Sequence, residues 1–147
     1  MRAQQEEAAT AAASSQETSR QGRAANIALW VVQGLLAAGF AFAGGSKLAG
    51  VPAMVETFDT IGLGQWLRYL TGALEVAGAV GLLIPLLSGL AALGLAAVMV
   101  GAAIADVALL GQPPFAALAL LVLSAVAAWG RRDRTASLAA RLRGERG

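Results

Sequence analysis

Along most of this chain the apolar residues fall in long, nearly unbroken runs rather than at the spacing of a surface helix. The runs extend from about Asn26 to Gly45, Trp66 to Ile84, Gly89 to Leu110 and Pro113 to Gly130. About 20 apolar residues in a helix match the hydrocarbon thickness of a bilayer, so the pattern predicts four transmembrane helices (26–45, 66–84, 89–110, 113–130) with modest tilt. The stretch from Leu70 to Leu110 is too long for one crossing. Pro85 and Ser88-Gly89 interrupt it, because proline cannot continue a helix and Ser-Gly favours a turn. Gly111-Gln112-Pro113-Pro114 separates the last two runs. Both prolines suit the first turn of a new helix, where the missing N–H has no partner to lose.

The flanks and the long connection read differently. Residues 1–25 are polar and low in complexity, with no apolar face to hold a fold, and are expected to be a disordered cytoplasmic tail. They lack the apolar core and cleavage site of a secretory signal. Between Ser46 and Gln65, Val51, Met54, Val55 and Phe58 fall at helical spacing and predict a short amphipathic helix on the outer surface, ended by Gly62 and Gly64. It would serve as a lid over an outward cavity or as an interfacial connector. Residues 131–147 form a basic cytoplasmic tail. Leu138, Ala139 and Leu142 lie on one side of it and arginines on the other, which suits a surface helix on anionic lipid or a solvated topology anchor.

Composition agrees with the pattern. Of 147 residues, 57% are hydrophobic and 14% charged, against about 25% charged in a soluble domain. The fold class that follows is all-α: a single integral membrane four-helix bundle over residues 26–130. Heavy use of Ala, Gly and Arg points to a GC-rich bacterial genome and hence a multi-pass protein of the inner membrane. The net charge is +2, carried by arginines and the single lysine, Lys47. Arg20 and Arg23 precede the first run; Arg131, Arg132, Arg134, Arg141, Arg143 and Arg146 follow the last. Arginine clustered at span ends is a topology signal and not a nucleic-acid footprint, and it places both termini in the cytoplasm. Trp30 and Trp129 then mark the cytoplasmic interface, and Trp66 and Tyr69 the outer one. The absence of Cys and His excludes a disulfide framework, a thiol relay, the usual zinc sites and a His-ligated haem. No cofactor is held covalently or through Cys or His.

The candidate chemistry lies in a few ionisable residues. Glu75 interrupts the second run at a depth where a charged side chain costs roughly 2.5–3.5 kcal/mol. It therefore needs a polar partner. Arg68, Gly72, Glu75, Ala79 and Leu82 share one helix face. Lys47 ends the first run, and Asp106 lies in the last turns of the third. All four ionisable groups, Lys47, Arg68, Glu75 and Asp106, fall in the outer half, and their formal charges cancel; the inner half offers only Gln33 and Ser124. The cluster is read as a binding or proton-handling site, or as an ion network that fixes helix register. The asymmetry predicts a pocket toward the outer leaflet, floored by Phe40, Leu74 and Met99. Ala37, Ala41 and Gly45, and likewise Ala97, Gly101 and Ala105, form small-residue stripes expected to pack against another helix or a second copy of the chain.

The residues from Phe40 to Leu48 end in Gly44-Gly45-Ser46-Lys47-Leu48, the next run reads Leu70-Thr71-Gly72-Ala73-Leu74-Glu75-Val76-Ala77-Gly78, and it closes on Leu82 to Pro85. In order and spacing these resemble the signatures of the DoxX-like family of small four-span bacterial membrane proteins, over about Asn26 to Gly130. The family's name comes from a subunit of an archaeal thiosulfate:quinone oxidoreductase, and some mycobacterial relatives are tied to thiol and superoxide defence. The resemblance implies the four-helix membrane fold and a place in a membrane complex. The expected function is that of a small membrane protein without its own catalysis, a complex subunit or a binder of a lipid-soluble molecule such as a quinone. The alternatives are a component of a quinone-linked oxidoreductase with Glu75 as proton acceptor, and a small transporter. Expected partners are the lipid bilayer, membrane-complex subunits or further copies of the chain, and no nucleic acid.

Overall fold

The computed structural model describes residues 1–144; Arg146, counted above among the C-terminal arginines, lies outside the described residues. All regular structure among them is α-helical: α1 (Arg2–Ala49), α2 (Pro52–Ile61), α3 (Gln65–Leu83), α4 (Ser88–Ala108), α5 (Phe115–Gly130) and α6 (Arg132–Leu142). Two of these, α1 and α4, are each long and apolar enough to cross a membrane. A third crossing is met by α5 and α6 taken together, although they are bent by 63°. The 16 residues of α5 reach only about 24 Å at 1.5 Å per residue, and α3 carries Arg68 and Glu75 within 19 residues. Those two features keep α5 and α3 from meeting the same criterion alone.

Contacts divide the chain into two compact units, Met1–Val31 and Val32–Gly147. In the first unit the residues expected to form a disordered tail lie within α1, which begins at Arg2. Ala, Glu, Gln and Arg are strong helix formers, and no Gly or Pro occurs before Gly22. The hydroxyls that could favour other conformations bond back along the helix instead. Thr10 donates to the Glu6 carbonyl at 2.8 Å, Ser15 to Ala11 at 2.8 Å and Thr18 to Ser14 at 2.9 Å. Every side chain of residues 1–25 is exposed, so local terms alone favour the helix here.

In the second unit α4 packs along α5 and α3, and α2 lies on α3. The core contains Leu36, Ala37 and Phe40 of α1, Ala79 and Leu82 of α3, Leu95 and Met99 of α4, and Ala127 of α5. Outside this core the helices are apolar where they are exposed: Leu35, Phe42, Leu74, Val80, Leu93, Ile104, Val107 and Val122 all face outward. Meanwhile Gln33, Arg68, Glu75, Ser88 and Ser124 are buried. Apolar outside and polar inside is the reverse of a soluble domain and suits lipid surroundings.

Several boundaries move by a few residues, each for an identifiable reason. Helix α5 starts at Phe115, with Pro114 as its N-cap, because Pro114 disfavours helical geometry at Pro113. Gly111 closes the preceding turn at φ 61°. The small-residue seam of α1 runs through Ala37 and Gly44, both buried, rather than through Ala41 and Gly45. The stripe expected on α4 is not a seam within this unit: Ala97 and Gly101 are exposed, and a Cβ on Gly101 would meet nothing. The basic tail is not a free anchor. Helix α6 folds back on α4 at Gly89, where a Cβ would lie 2.1 Å from the Thr135 hydroxyl oxygen and 2.9 Å from the Arg131 carbonyl oxygen. Glycine is what lets α6 dock there.

Candidate functional site: a buried lysine–glutamate pair

The site begins with two glycines. A Cβ on Gly44 would lie 2.7 Å from the Gly72 carbonyl oxygen, and one on Gly72 would lie 3.1 Å from the Gly44 carbonyl oxygen. The backbones of α1 and α3 therefore touch with no side chain between them, the usual basis of close helix crossing in lipid. One turn beyond this crossing on each helix lie Lys47 and Glu75. The Lys47 ammonium donates to both carboxylate oxygens, at 3.1 Å to Oε1 and 2.8 Å to Oε2. The Lys47 side chain is 16% exposed and that of Glu75 3%. The carboxylate is thus enclosed, and the ammonium is the face of the pair reachable from outside. An ammonium has three N–H donors. Both of its hydrogen bonds among the described residues go to the two oxygens of Glu75, so the ammonium keeps donor capacity that no protein acceptor takes up.

Arg68 shares the buried face of α3 with Glu75 but does not pair with it. Its Nη1 donates to the Lys47 carbonyl oxygen, which also accepts from the Gly50 N–H at 3.2 Å in the turn that ends α1. A cation at a helix C-terminus is also favoured by the helix dipole. Gly50, at φ 69°, turns the chain beside the guanidinium. Arg68 Nε donates to Gln65 Oε1 at 2.5 Å, and the guanidinium stacks on Tyr69 with 4.2 Å to the ring centroid. Gln65 Nε2 in turn donates to Asp59 Oδ1 at 2.7 Å and to the Val55 carbonyl at 3.0 Å. Helix α2, which packs on α3 and buries Phe58, is tied to the pair by this chain of bonds.

The expected four-residue cluster is therefore corrected. Asp106 accepts from Gln112 Nε2 at 2.8 Å, and the Asp106 carbonyl accepts from the Gln112 N–H at 2.9 Å. It closes the turn after α4 and makes no ion pair among the described residues. Charge balance comes instead from Asp59, linked to Arg68 through the Gln65 amide. Gln65 and Asp59 were missed because they fall in the connection predicted between the first two spans and not in an apolar run; Asp59 belongs to α2 and Gln65 opens α3. The signal available was an i, i+3 spacing of Gln65 to Arg68 at the start of α3. The expected pocket floor also separates: Phe40 and Met99 are in the core, while Leu74 is exposed on a different face from Glu75.

A second buried polar contact lies at the other end of α3. Gln33 Nε2 donates to the Leu82 carbonyl at 2.7 Å, and Arg131 Nε donates to Gln33 Oε1 at 2.7 Å. The expectation that no ionisable side chain enters this end is corrected, since Arg131 is only 5% exposed. Burial, and then Arg134, hold its guanidinium below the ordinary arginine pKa; it stays charged at neutral pH, as arginine does. Among the described residues no group of three or more Asp, Glu, His or Cys could hold a metal.

No curated protein and no solved structure matches this chain. The sequence profile of the DoxX-like family matches residues 31–130, which include α3, α4, α5 and the part of α1 that carries Gly44 and Lys47. With its apolar exterior and long apolar helices, the chain is a small membrane protein and belongs to the DoxX-like family.

Proposed function

We propose that the chain is a non-catalytic protein of a bacterial inner membrane that binds a lipid-soluble carbonyl compound, such as a quinone, or seats one for a membrane complex. The supporting observation is the Lys47–Glu75 pair. Glu75 anchors the ammonium through both of its oxygens and leaves it with donor capacity to spare. A ligand carbonyl oxygen is a natural acceptor for that ammonium, and an apolar tail would lie along the exposed apolar faces of the helices. Glu75 as a free proton acceptor is the less supported reading, because both of its oxygens already accept from a cation. A purified protein with saturating short-chain quinone should gain stability, about 2.7 kcal/mol at a hundredfold excess over Kd. Lys47→Met should lose the gain and Glu75→Gln should reduce it. Equal thermal shifts in all three proteins, or none in wild type, would reject the reading and leave the pair as a helix lock.

The same proposal places α1, α3, α4 and α5 across the membrane with both termini in the cytoplasm, following the arginines at the two ends. Reporter fusions after Gly147 and within α2 should then report opposite sides. Finding both on one side would refute four crossings.

A further inference from the structure

Where α6 folds back, it encloses a groove of about 450 Å³ with α4 and α5. That volume lies in the range of roughly 300–1,000 Å³ typical of small-molecule clefts. Leu93 and Ala96 of α4 form one wall, Ala125 and Ala128 of α5 the other, and Ala136 of α6 closes the side. The lining is almost wholly apolar, and small alanines on three helices leave a channel rather than a packed seam. At the groove stands Trp129, which is 73% exposed. Arg132 lies over its ring, 5.1 Å from the centroid, and donates to the Trp129 carbonyl at 3.2 Å. Arg132 is itself exposed. The neighbouring arginines are already engaged: Arg131 on Gln33, and Arg134 on the Pro85 carbonyl at 3.3 Å.

We infer that this groove holds one acyl chain of an anionic phospholipid, with the lipid phosphate on Arg132. Two independent features select that occupant. The walls are hydrocarbon apart from Thr135 and from Arg132 at the mouth, and they continue the exposed apolar surface of α4 and α5, so an acyl chain enters from the bilayer without crossing water. The mouth carries an accessible guanidinium steadied on an indole, in a segment, Arg131 to Arg143, whose only acid is Asp133. A guanidinium fork matches phosphate oxygens, and Trp beside Arg is the side-chain pair of a headgroup interface. A zwitterionic lipid presents the same chain but carries a cationic group of its own, so the site discriminates between headgroups.

The test uses the full chain with Trp30→Phe and Trp66→Phe, leaving Trp129 as the only tryptophan. The protein is reconstituted in mixtures of phosphatidylglycerol and phosphatidylcholine, with bromine on the acyl chains of one or the other. Quenching of Trp129 then gives the relative occupancy of the groove. Phosphatidylglycerol should be preferred by about fivefold, the effect expected of one well-placed arginine. Arg132→Gln, an exposed change that leaves the fold alone, should bring the ratio to about one. Ala136→Phe should fill the groove and also lower the preference. Arg143→Gln, remote in sequence from the groove, should leave it unchanged. A wild-type ratio near one, or an equal fall in Arg132→Gln and Arg143→Gln, would overturn the site in favour of diffuse surface charge. Loss of the preference on adding inorganic phosphate would overturn it in favour of a free-anion site.

Discussion

Replacing Glu75 with leucine is expected to destabilise the protein by about 3 kcal/mol, the lower end of what breaking a buried ion pair costs. The lower end applies because Lys47 retains some exposure, at 16%, while Glu75 has almost none. The loss comes from the ammonium left behind, which forms no other ion pair among the described residues. Arg68 offers no compensation, being a cation already engaged with Gln65 and the Lys47 carbonyl. Glu75→Gln should fall between wild type and Glu75→Leu, since the amide oxygen still accepts one hydrogen bond from Lys47. Combining Lys47→Met with Glu75→Leu should recover most of the lost stability, because two apolar side chains of similar length desolvate nothing charged. Denaturant unfolding in detergent, run as a double-mutant cycle, measures the coupling. A double variant no more stable than Glu75→Leu alone would show that the two side chains do not act as a pair.

Some of this arrangement is readable in the sequence, and the divide between what is and what is not has a physical cause. The buried face of α3 follows from helical periodicity: Arg68, Gly72, Glu75, Ala79 and Leu82 are all found inside, joined by Gly81. Lys47 is also close at hand in the sequence, since it ends a helix next to the one that carries Glu75. Periodicity, however, sets a face only within a helix. It says nothing of how that face is turned toward its neighbours. Asp106 sits at a suitable depth yet closes its own turn with Gln112, because the chain reverses at Gly111.

The remaining differences share that origin. Arg131 reads as a solvated topology charge until Gln33 is found across from it, 98 residues away in the chain. The fold of α6 onto α4 depends on the absence of a Cβ at Gly89, one glycine among 18. A mid-span glutamine facing an arginine just past the last apolar run was the available signal for the first. The Ser88-Gly89 pair marks a break between runs, but no local pattern shows that a helix docks on Gly89 while a Cβ at Gly94 would meet nothing. Contacts made by such close approaches become visible only when the helices are placed side by side.

The adjoining glycines of α1 make that distinction measurable. Gly44→Ala is expected to destabilise the protein by about 1–3 kcal/mol, as overpacking does in a tight seam. Its new methyl would stand 2.7 Å from the Gly72 carbonyl oxygen, 2.9 Å from Val76 Cγ2 and 3.0 Å from Glu75 Cβ. Two of these neighbours are backbone or near-backbone atoms and cannot swing aside, so α1 and α3 must separate. Gly45→Ala adds the same methyl one residue later, where nothing lies within 4 Å. It should be neutral or stabilising by up to about 1 kcal/mol through helix propensity alone. Separation of the helices should also lengthen the Lys47–Glu75 contact. In the Gly44→Ala background, Glu75→Gln should therefore lose less than it does in wild type, and in the Gly45→Ala background it should lose the same. Unfolding of these variants and their Glu75→Gln combinations under one set of detergent conditions decides the matter. If Gly44→Ala and Gly45→Ala behave alike, the two helices do not meet at Gly44, and the geometry assigned to the pair falls with that contact.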